Sequence, residues 1–275
     1  MKAAAFDYVR VRDLDEAQAA LARSEGAKLL AGGQSLGPML NLRLARPALL
    51  VDISRLDALK TITEMPDAWR IGAGVTHARL EDLGERLTGA RLVGTVARGI
   101  AYRSVRTRGT IGGSIAHADP AADWPLALVA LGATVEIRTA GGGTRAQAAE
   151  TFVRGAFTTD LAADEIVTAV VVPKRSAAAR TGYFKFCRKA GEYPLVSAAV
   201  VLDPDRDAAR IVMGALPTGP RDFPGLAAAV LRDGAAAASE GAIERAVDDA
   251  LPGLDPVERR MRASAVRRAV LEACA

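Results

Sequence analysis

The sequence predicts an α+β fold of two domains, and three observations lead to it. Short apolar strands alternate with amphipathic helices in the N-terminal part, and the alternation restarts near Arg70. In the C-terminal part three strands come first and three helices follow, an order typical of a separate α+β domain. A chain of 275 residues is long enough for two domains. We predict a first domain at 1–175, with lobes at about 1–56 and 57–175, and a second domain at 176–275.

The first lobe is predicted from helix and strand signals in close succession. Asp13 can cap a helix at 14–23, whose apolar side chains share one face. A short buried strand at 28–31 runs directly into Gly32-Gly33-Gln34-Ser35. A helical or irregular segment follows, and strand 49–53 completes the lobe.

The second lobe and the C-terminal domain are predicted in the same way. The glycines 141–143 form a hairpin turn, because consecutive glycines adopt positive φ at little cost. Residues 108–114 are expected to be a loop, and 175–181 a linker between the domains. The predicted strands are 69–72, 133–138, 165–172, 183–188, 197–202 and 210–215. The predicted helices are 78–87, 92–101, 123–131, 224–232, 239–250 and 256–273.

Composition and charge exclude several classes of protein. The 36 Lys and Arg residues are interspersed with 32 Asp and Glu, and the net charge is only +4, which disfavours a nucleic-acid partner. Cys187 and Cys274 cannot supply the ligands of an iron–sulfur cluster or a zinc site. The N-terminus lacks a secretory signal, and no apolar run reaches the roughly 18 residues that span a bilayer. We expect a soluble, cytoplasmic protein with no membrane span.

The only concentrated basic stretch lies near the C-terminus, at 259–262 and 267–268. A solvated helix face is the favoured interpretation, and docking to an acidic partner is the alternative.

Two glycine motifs carry the main chemical signal, Ala31–Ser35 and Thr110–Ser114. Adjacent glycines let the backbone approach a ligand closely. Consecutive N–H groups form an anion-binding nest, to which Ser or Thr hydroxyls add hydrogen bonds. Two nests could grip a pyrophosphate from both sides, which favours a dinucleotide, with ordinary tight turns as the alternative. Neither motif is a Rossmann G-x-G-x-x-G or a P-loop.

Four polar residues near these motifs have open roles. Asp123 could cap a helix or accept a hydrogen bond from a ribose hydroxyl. Asp119 shapes a turn before Pro120, and a metal site that uses His117 is disfavoured. His77 is expected at the surface or at a helix start.

Lys185 and Tyr193 follow in the next domain. Lys185 lies either on the basic outer face of a half-buried strand or within reach of a bound anion or flavin edge. Tyr193 could pack on a flavin ring.

These motifs, in this order, resemble the FAD-binding medium subunit of the molybdenum hydroxylases, the family of carbon monoxide dehydrogenase and xanthine dehydrogenase. The resemblance covers nearly the whole chain. Some members of the family carry His where Gln34 stands. The matching segments are Ala31–Leu36, Leu50–Ile53, Thr110–Ser114, His117–Asp123 and Lys185–Phe186.

The resemblance implies a two-lobed FAD-binding domain of the PCMH type, not a Rossmann fold, followed by a domain with a three-stranded sheet and helices. It places Asp123 at the adenosine end of FAD and Lys185 at the flavin side, and it assigns this chain no catalytic residue. The residues that it implies in cofactor binding are Leu29, Leu30, Ala31, Gly32, Gly33, Gln34, Ser35, Leu36, Ile100, Thr110, Ile111, Gly112, Gly113, Ser114, Asp123, Val167, Lys185 and Tyr193.

The resemblance also implies partners. A large subunit would carry the molybdopterin cofactor, and a small subunit would carry two [2Fe–2S] clusters, in a dimer of heterotrimers. The chain would pass electrons from those clusters to an external acceptor. A self-sufficient FAD-dependent reductase or oxidase and a non-catalytic nucleotide-binding module are the alternatives.

Overall fold

The computed structural model describes residues 2–275, with only the backbone of Glu85. The N-terminal segment, residues 2–56, is built on a parallel sheet. Its elements are β1 (Asp7–Arg10), α1 (Leu14–Arg23), β2 (Lys28–Leu30), α2 (Leu36–Asn41) and β3 (Leu49–Asp52). The strand order is β1-β3-β2, and both pairs are parallel. The predicted cap of α1 is confirmed, because the Asp13 carboxylate accepts the N–H of Glu16 at 2.8 Å.

The middle segment, residues 57–175, is built on a five-stranded antiparallel sheet. Its elements are β4 (Ile62–Glu64), β5 (Ala68–Gly72), α3 (His77–Leu83), α4 (Arg91–Gly99), α5 (Arg103–Arg106), α6 (Ile111–His117), α7 (Asp123–Ala130), β6 (Thr134–Arg138), β7 (Thr144–Ala148), α8 (Ala149–Phe152), β8 (Val153–Gly155), β9 (Thr158–Thr159) and β10 (Ile166–Pro173). The order is β4-β5-β10-β6-β7. The predicted glycine hairpin joins β6 to β7, with Gly141 and Gly142 at positive φ.

The C-terminal segment, residues 176–275, has strands first and helices afterwards, as predicted. Its elements are β11 (Arg180–Phe186), β12 (Val196–Asp203), β13 (Ala208–Gly214), β14 (Arg221–Asp222), α9 (Pro224–Asp233), α10 (Glu240–Ala250) and α11 (Pro256–Cys274). The three predicted strands are present, and β14 adds a fourth to the antiparallel sheet. A two-residue strand is too short to show alternation, so the sequence did not reveal it.

Helix α7 joins the middle and C-terminal segments. All of its residues, 123–130, are buried, and the helix contacts α4, α6 and α8 as well as β12 and β13. A helix that is apolar on every side is expected where protein surrounds it completely. The first residue of α7 is therefore held at the junction of the two segments.

The C-terminal helix α11 differs in part from the prediction of a solvated basic face. Arg262 is buried and pairs with Glu258, and Arg259 pairs with Asp248 at 2.6 Å. Arg267 is exposed. Among the described residues, no helix is both long and apolar enough to cross a membrane.

Candidate cofactor site

The first glycine motif is a turn between β2 and α2, and its backbone donors are free. Gly33 has φ +70°, a conformation that glycine adopts without strain. Among the described residues, the N–H groups of the five consecutive residues 32–36 donate to no protein acceptor, whereas Gly37 N–H donates to Gly33 O at 2.9 Å. A run of unpaired N–H groups around a positive-φ glycine is an anion-binding nest.

Gly32 fixes the position of this nest. A Cβ at Gly32 would lie 2.0 Å from the carbonyl oxygen of Arg108, so only glycine allows this close approach. The contact brings the first motif against the residues that precede α6. The two glycine motifs, distant in sequence, are neighbours in the fold.

The second motif is not the predicted loop. Thr110 is the N-cap of α6, and its hydroxyl accepts the N–H of Gly113 at 3.1 Å. The N–H of Ile111 donates to Val75 O, that of Gly112 to Ala73 O, and that of Ser114 to Thr110 O. The prediction of a second nest of free N–H groups is therefore wrong, because a capped helix start and two backbone contacts already use these donors.

The second motif supplies close packing. A Cβ at Gly112 would lie 2.3 Å from the Cβ of Ala73, and one at Gly113 would lie 2.8 Å from Thr110 Oγ1 and 3.9 Å from the Ala31 Cβ. Gly113 thus leaves a narrow space beside the first motif. The assignment of residues 110–114 to the cofactor stays a prediction. We expect them to contribute to cofactor binding through the closely packed glycine surface beside Ala31, not through free N–H groups.

Asp123 anchors a buried polar cluster. It is the first residue of α7 and only 6 % exposed. Lys185 Nζ lies 2.9 Å from Asp123 Oδ1 and 3.1 Å from Oδ2, and the Tyr183 hydroxyl donates to Oδ1. Ala122 is the N-cap, so the alternative in which Asp123 caps the helix is wrong.

This cluster changes two of the implied roles. Asp123 and Lys185 are in direct contact, so they cannot mark opposite ends of an extended dinucleotide. Burial, and next the charge of Asp123, raise the pKa of Tyr183 well above its ordinary value. Tyr183 was not among the predicted site residues. The alternation of strand β11 puts Tyr183 and Lys185 on one face, and that was the available signal.

The loop between β11 and β12 contacts both other segments. Burial is the main cause that raises the pKa of Tyr193, and the negative charge of Asp119 raises it further. A hydrogen bond with Ser35 acts in the opposite direction. A Cβ at Gly191 would lie 2.7 Å from the Tyr102 ring, whose hydroxyl donates to Ala190 O at 2.8 Å. Tyr193 therefore lies beside the nest and remains 55 % exposed.

The remaining predicted site residues occupy different surroundings. Ile100 follows α4 and is half-buried. At the neighbouring Gly99, a Cβ would lie 3.6 Å from Lys185 Cε. Val167 is buried in the core of the middle segment, so the structure offers little of its surface to a ligand. Leu29, Leu30, Ala31 and Leu36 are half-buried around the nest. Gln34 Nε2 donates to Gly32 O at 3.2 Å, within the turn.

His77 begins α3, so the predicted helix start is confirmed, but the residue is buried and the surface alternative is wrong. Its Nδ1 accepts the indole N–H of Trp124 at 3.0 Å, and its backbone N–H donates to Gly109 O. Burial, and next the charge of Arg106, lower the pKa of His77 to about 4. A neutral His77 thus supports the turn before Thr110. Among the described residues no cluster of potential metal ligands is found.

Asp119 shapes the turn before α7, as predicted. Its carboxylate accepts the N–H of Ala121 at 2.9 Å.

Comparison with known proteins identifies the family. Residues 4–175 match the model of the FAD binding domain in molybdopterin dehydrogenase, and the chain belongs to this family. The resemblance seen in the sequence is therefore confirmed, together with FAD as the cofactor and an oxidoreductase class.

Several relatives extend the match beyond the FAD-binding domain. The chain is 39 % identical to the nicotine 6-hydroxylase medium subunit of Paenarthrobacter nicotinovorans over 202 residues, which are 74 % of this chain and 70 % of the relative. It is 39 % identical to the glyceraldehyde dehydrogenase medium chain of Sulfolobus acidocaldarius over 197 residues, which are 72 % of this chain and 69 % of the relative.

A solved structure confirms the fold class. A chain of carbon monoxide dehydrogenase from Hydrogenophaga pseudoflava superposes with a TM-score of 0.90 at 31 % identity, covering 100 % of both chains. The two-lobed domain of the PCMH type and the additional α+β domain are thus those of this family.

Proposed function

We propose that this chain is the FAD-holding, electron-transferring medium subunit of a molybdenum hydroxylase. The observation that carries the proposal is the run of five free N–H groups at 32–36 in a chain of this family. Electrons enter from the [2Fe–2S] clusters of a small subunit and leave to an external acceptor. The hydroxylated substrate binds to a large molybdopterin subunit.

The residues at the site fit FAD. The nest at 32–36 would bind the pyrophosphate, since unpaired backbone donors satisfy an anion without a counter-charge. Gly113 leaves room beside Ala31, and the exposed Tyr193 of the C-terminal segment would pack on the flavin ring. FAD, when bound, supplies exchange of one or two electrons.

Other residues contribute by position. Lys185 presents a cation that is paired with Asp123. The two residues would therefore meet the same part of the cofactor. Ile100 and the half-buried side chains of Leu29, Leu30 and Leu36 would exclude water around it. Val167 is buried in the core and would contribute through packing rather than through direct contact with FAD. The chain needs no general acid or base of its own, because the substrate reacts on another subunit.

The assembly follows from the same proposal. The partners are one large molybdopterin subunit and one small iron–sulfur subunit, in a dimer of heterotrimers located in the cytoplasm. The names of the relatives support this, since they are medium subunits or medium chains. We keep the domain division at 175/176, where the match to the family model also ends.

The first test is the cofactor content of the complex purified under native conditions. We expect flavin absorption and, after heat release and chromatography, FAD equimolar with this chain. A complex that contains all three subunits but no flavin, even after incubation with FAD, contradicts the proposal.

A pair of glycine variants tests the nest itself. Gly32→Ala places a Cβ 2.0 Å from Arg108 O and displaces the turn, so we expect the Kd for FAD to rise at least about tenfold, as a lost interaction of about 1.4 kcal/mol or more implies. Gly37→Ala is the matched control, since a Cβ there meets nothing within 4 Å. Equal Kd values for FAD in the two variants, measured by titration of the FAD-free proteins, would place the cofactor elsewhere.

A further inference from the structure

A concavity lies away from the nest, between β11 and α11. Its volume is about 420 Å³. Side chains alternate along a strand, so Phe184 and Phe186 face this groove while Tyr183 and Lys185 face the Asp123 cluster. The lining residues are Phe184, Phe186, Val196, Val257, Arg260, Met261, Ser264 and Arg268.

The floor of the groove is apolar and open. Phe186 is 46 % exposed and Val257 is 57 % exposed. Along α11 the apolar positions Val257, Met261 and Leu271 fall on one stripe, at spacings that keep side chains on one helix face. An apolar patch that is flanked by polar residues is typical of an interaction site.

The rim of the groove is cationic. In the part of the chain that the structure describes, Arg260 and Arg268 have no carboxylate within salt-bridge distance, whereas Arg259 and Arg262 pair with acidic side chains. The Arg268 guanidinium lies over the Phe184 ring, 5.0 Å from its centre. Two unpaired arginines beside an apolar floor complement a segment that carries both apolar side chains and carboxylates.

We propose that this groove binds an acidic, amphipathic segment of the iron–sulfur subunit. An apolar side chain enters between Phe186 and Val257, and carboxylates pair with Arg260 and Arg268. The inference rests on the proposed function. The subunit that delivers electrons must approach the cofactor site, and β11 carries Lys185 on one face and this groove on the other, so a subunit that grips the groove is held at the strand that reaches the site. The groove is one anchor within a larger interface, since stable interfaces bury more than about 1,000 Å².

A photo-crosslink identifies the occupant. Val257 is replaced by benzoylphenylalanine in the co-expressed three-subunit complex, and the complex is irradiated and analysed by mass spectrometry. We expect a crosslink to a segment of the iron–sulfur subunit rich in Asp or Glu. The control is the same replacement at Ala228, which is exposed on α9. A crosslink to the large subunit or to a second copy of this chain overturns the proposal, and so does the absence of any protein crosslink.

Charge reversal tests the rim. We expect the double variant Arg260→Glu, Arg268→Glu to retain the iron–sulfur subunit about tenfold more weakly, with unchanged FAD content. Arg267→Glu is the control for a charge reversal at an exposed position of α11 outside the groove. Unchanged retention in the double variant rejects the inference. A wild-type complex without FAD rejects the proposed function instead, so the two failures are distinguishable.

Discussion

Asp123 shows how the fold stabilises a buried charge. A carboxylate that is only 6 % exposed needs paired donors, because a buried charge without a partner is strongly destabilising. Tyr183 and Lys185 provide these donors from a different segment. The cluster therefore connects α7 with β11 by an ion pair and a hydrogen bond.

We predict that Lys185→Met lowers the free energy of unfolding by about 3–5 kcal/mol, because Asp123 would stay buried without its counter-charge. Lys189→Met, at an exposed position, should change it by less than about 0.5 kcal/mol. Urea unfolding at neutral pH, followed by circular dichroism, measures both. Similar losses in the two variants would show that the ion pair is unimportant.

His77 makes stability depend on pH. Its folded pKa, about 4, lies below the ordinary value near 6.5, so the unfolded chain binds the proton more readily. The stability is fully present above about pH 6.5 and is lost as pH falls toward the folded pKa. Between pH 7 and pH 5 we expect a loss of about 2 kcal/mol from this residue.

His77→Gln should remove most of that loss, and urea unfolding at the two pH values measures it. Burial also lowers the pKa of His117, so this residue too destabilises the folded chain as pH falls. Part of the loss of stability should therefore remain in the His77→Gln variant. Asp52 affects stability only at a pH below this interval. Burial would raise its pKa, but hydrogen bonds from Ser54, Tyr8 and Arg10 lower it to about 2. An unchanged pH dependence in His77→Gln would contradict the assignment.

At the scale of elements, helix ends and helix contacts are set by single glycines. Gly112 lets α6 begin against Ala73, and Gly182 lets α11 lie directly on β11. A Cβ at Gly182 would lie 1.9 Å from the carbonyl oxygen of Ala269. Backbone at that distance cannot yield in the way a flexible side chain can.

We therefore predict that Gly182→Ala displaces α11 and lowers the free energy of unfolding by about 1–3 kcal/mol. Gly225 lies in α9, and a Cβ there would meet no atom within 4 Å. Gly225→Ala should therefore leave the free energy of unfolding unchanged or raise it by up to about 1 kcal/mol. Thermal unfolding of the two variants gives the comparison. A Gly182→Ala protein as stable as Gly225→Ala would mean that α11 is free to shift.

At the scale of the whole molecule, the proposed cofactor site draws on three segments. The nest comes from the N-terminal segment, α6 and Asp123 from the middle segment, and Lys185 and Tyr193 from the C-terminal segment. A ligand held by all three binds only the folded chain, and mass action then raises stability.

FAD should accordingly stabilise the entire chain. At a free FAD concentration 100 times its Kd we expect about 2.7 kcal/mol over the FAD-free protein, seen as a higher melting temperature. The Gly32→Ala variant, with a Kd at least about tenfold higher, should show at most about half of this increase, and Gly37→Ala should show all of it. A melting temperature that does not respond to FAD in the unsubstituted protein would contradict a site shared by three segments.

The sequence by itself determined the fold class, the family and the first nest. These depend on local patterns: apolar periodicity, a helix cap at Asp13, and the order of the glycine motifs. It also placed Lys185 on a strand and Asp119 in a turn, since both follow from near neighbours along the chain.

Only the tertiary structure decided which donors remain free. The second glycine motif looked equivalent to the first in sequence, but Val75 and Ala73 accept the N–H groups of Ile111 and Gly112 that would have formed a second nest. The structure also brought Tyr183 and Lys185 onto Asp123, about 60 positions away in sequence. Hydrogen-bond partners and burial are set by contacts between distant segments, and such contacts leave no periodic signal in a single sequence.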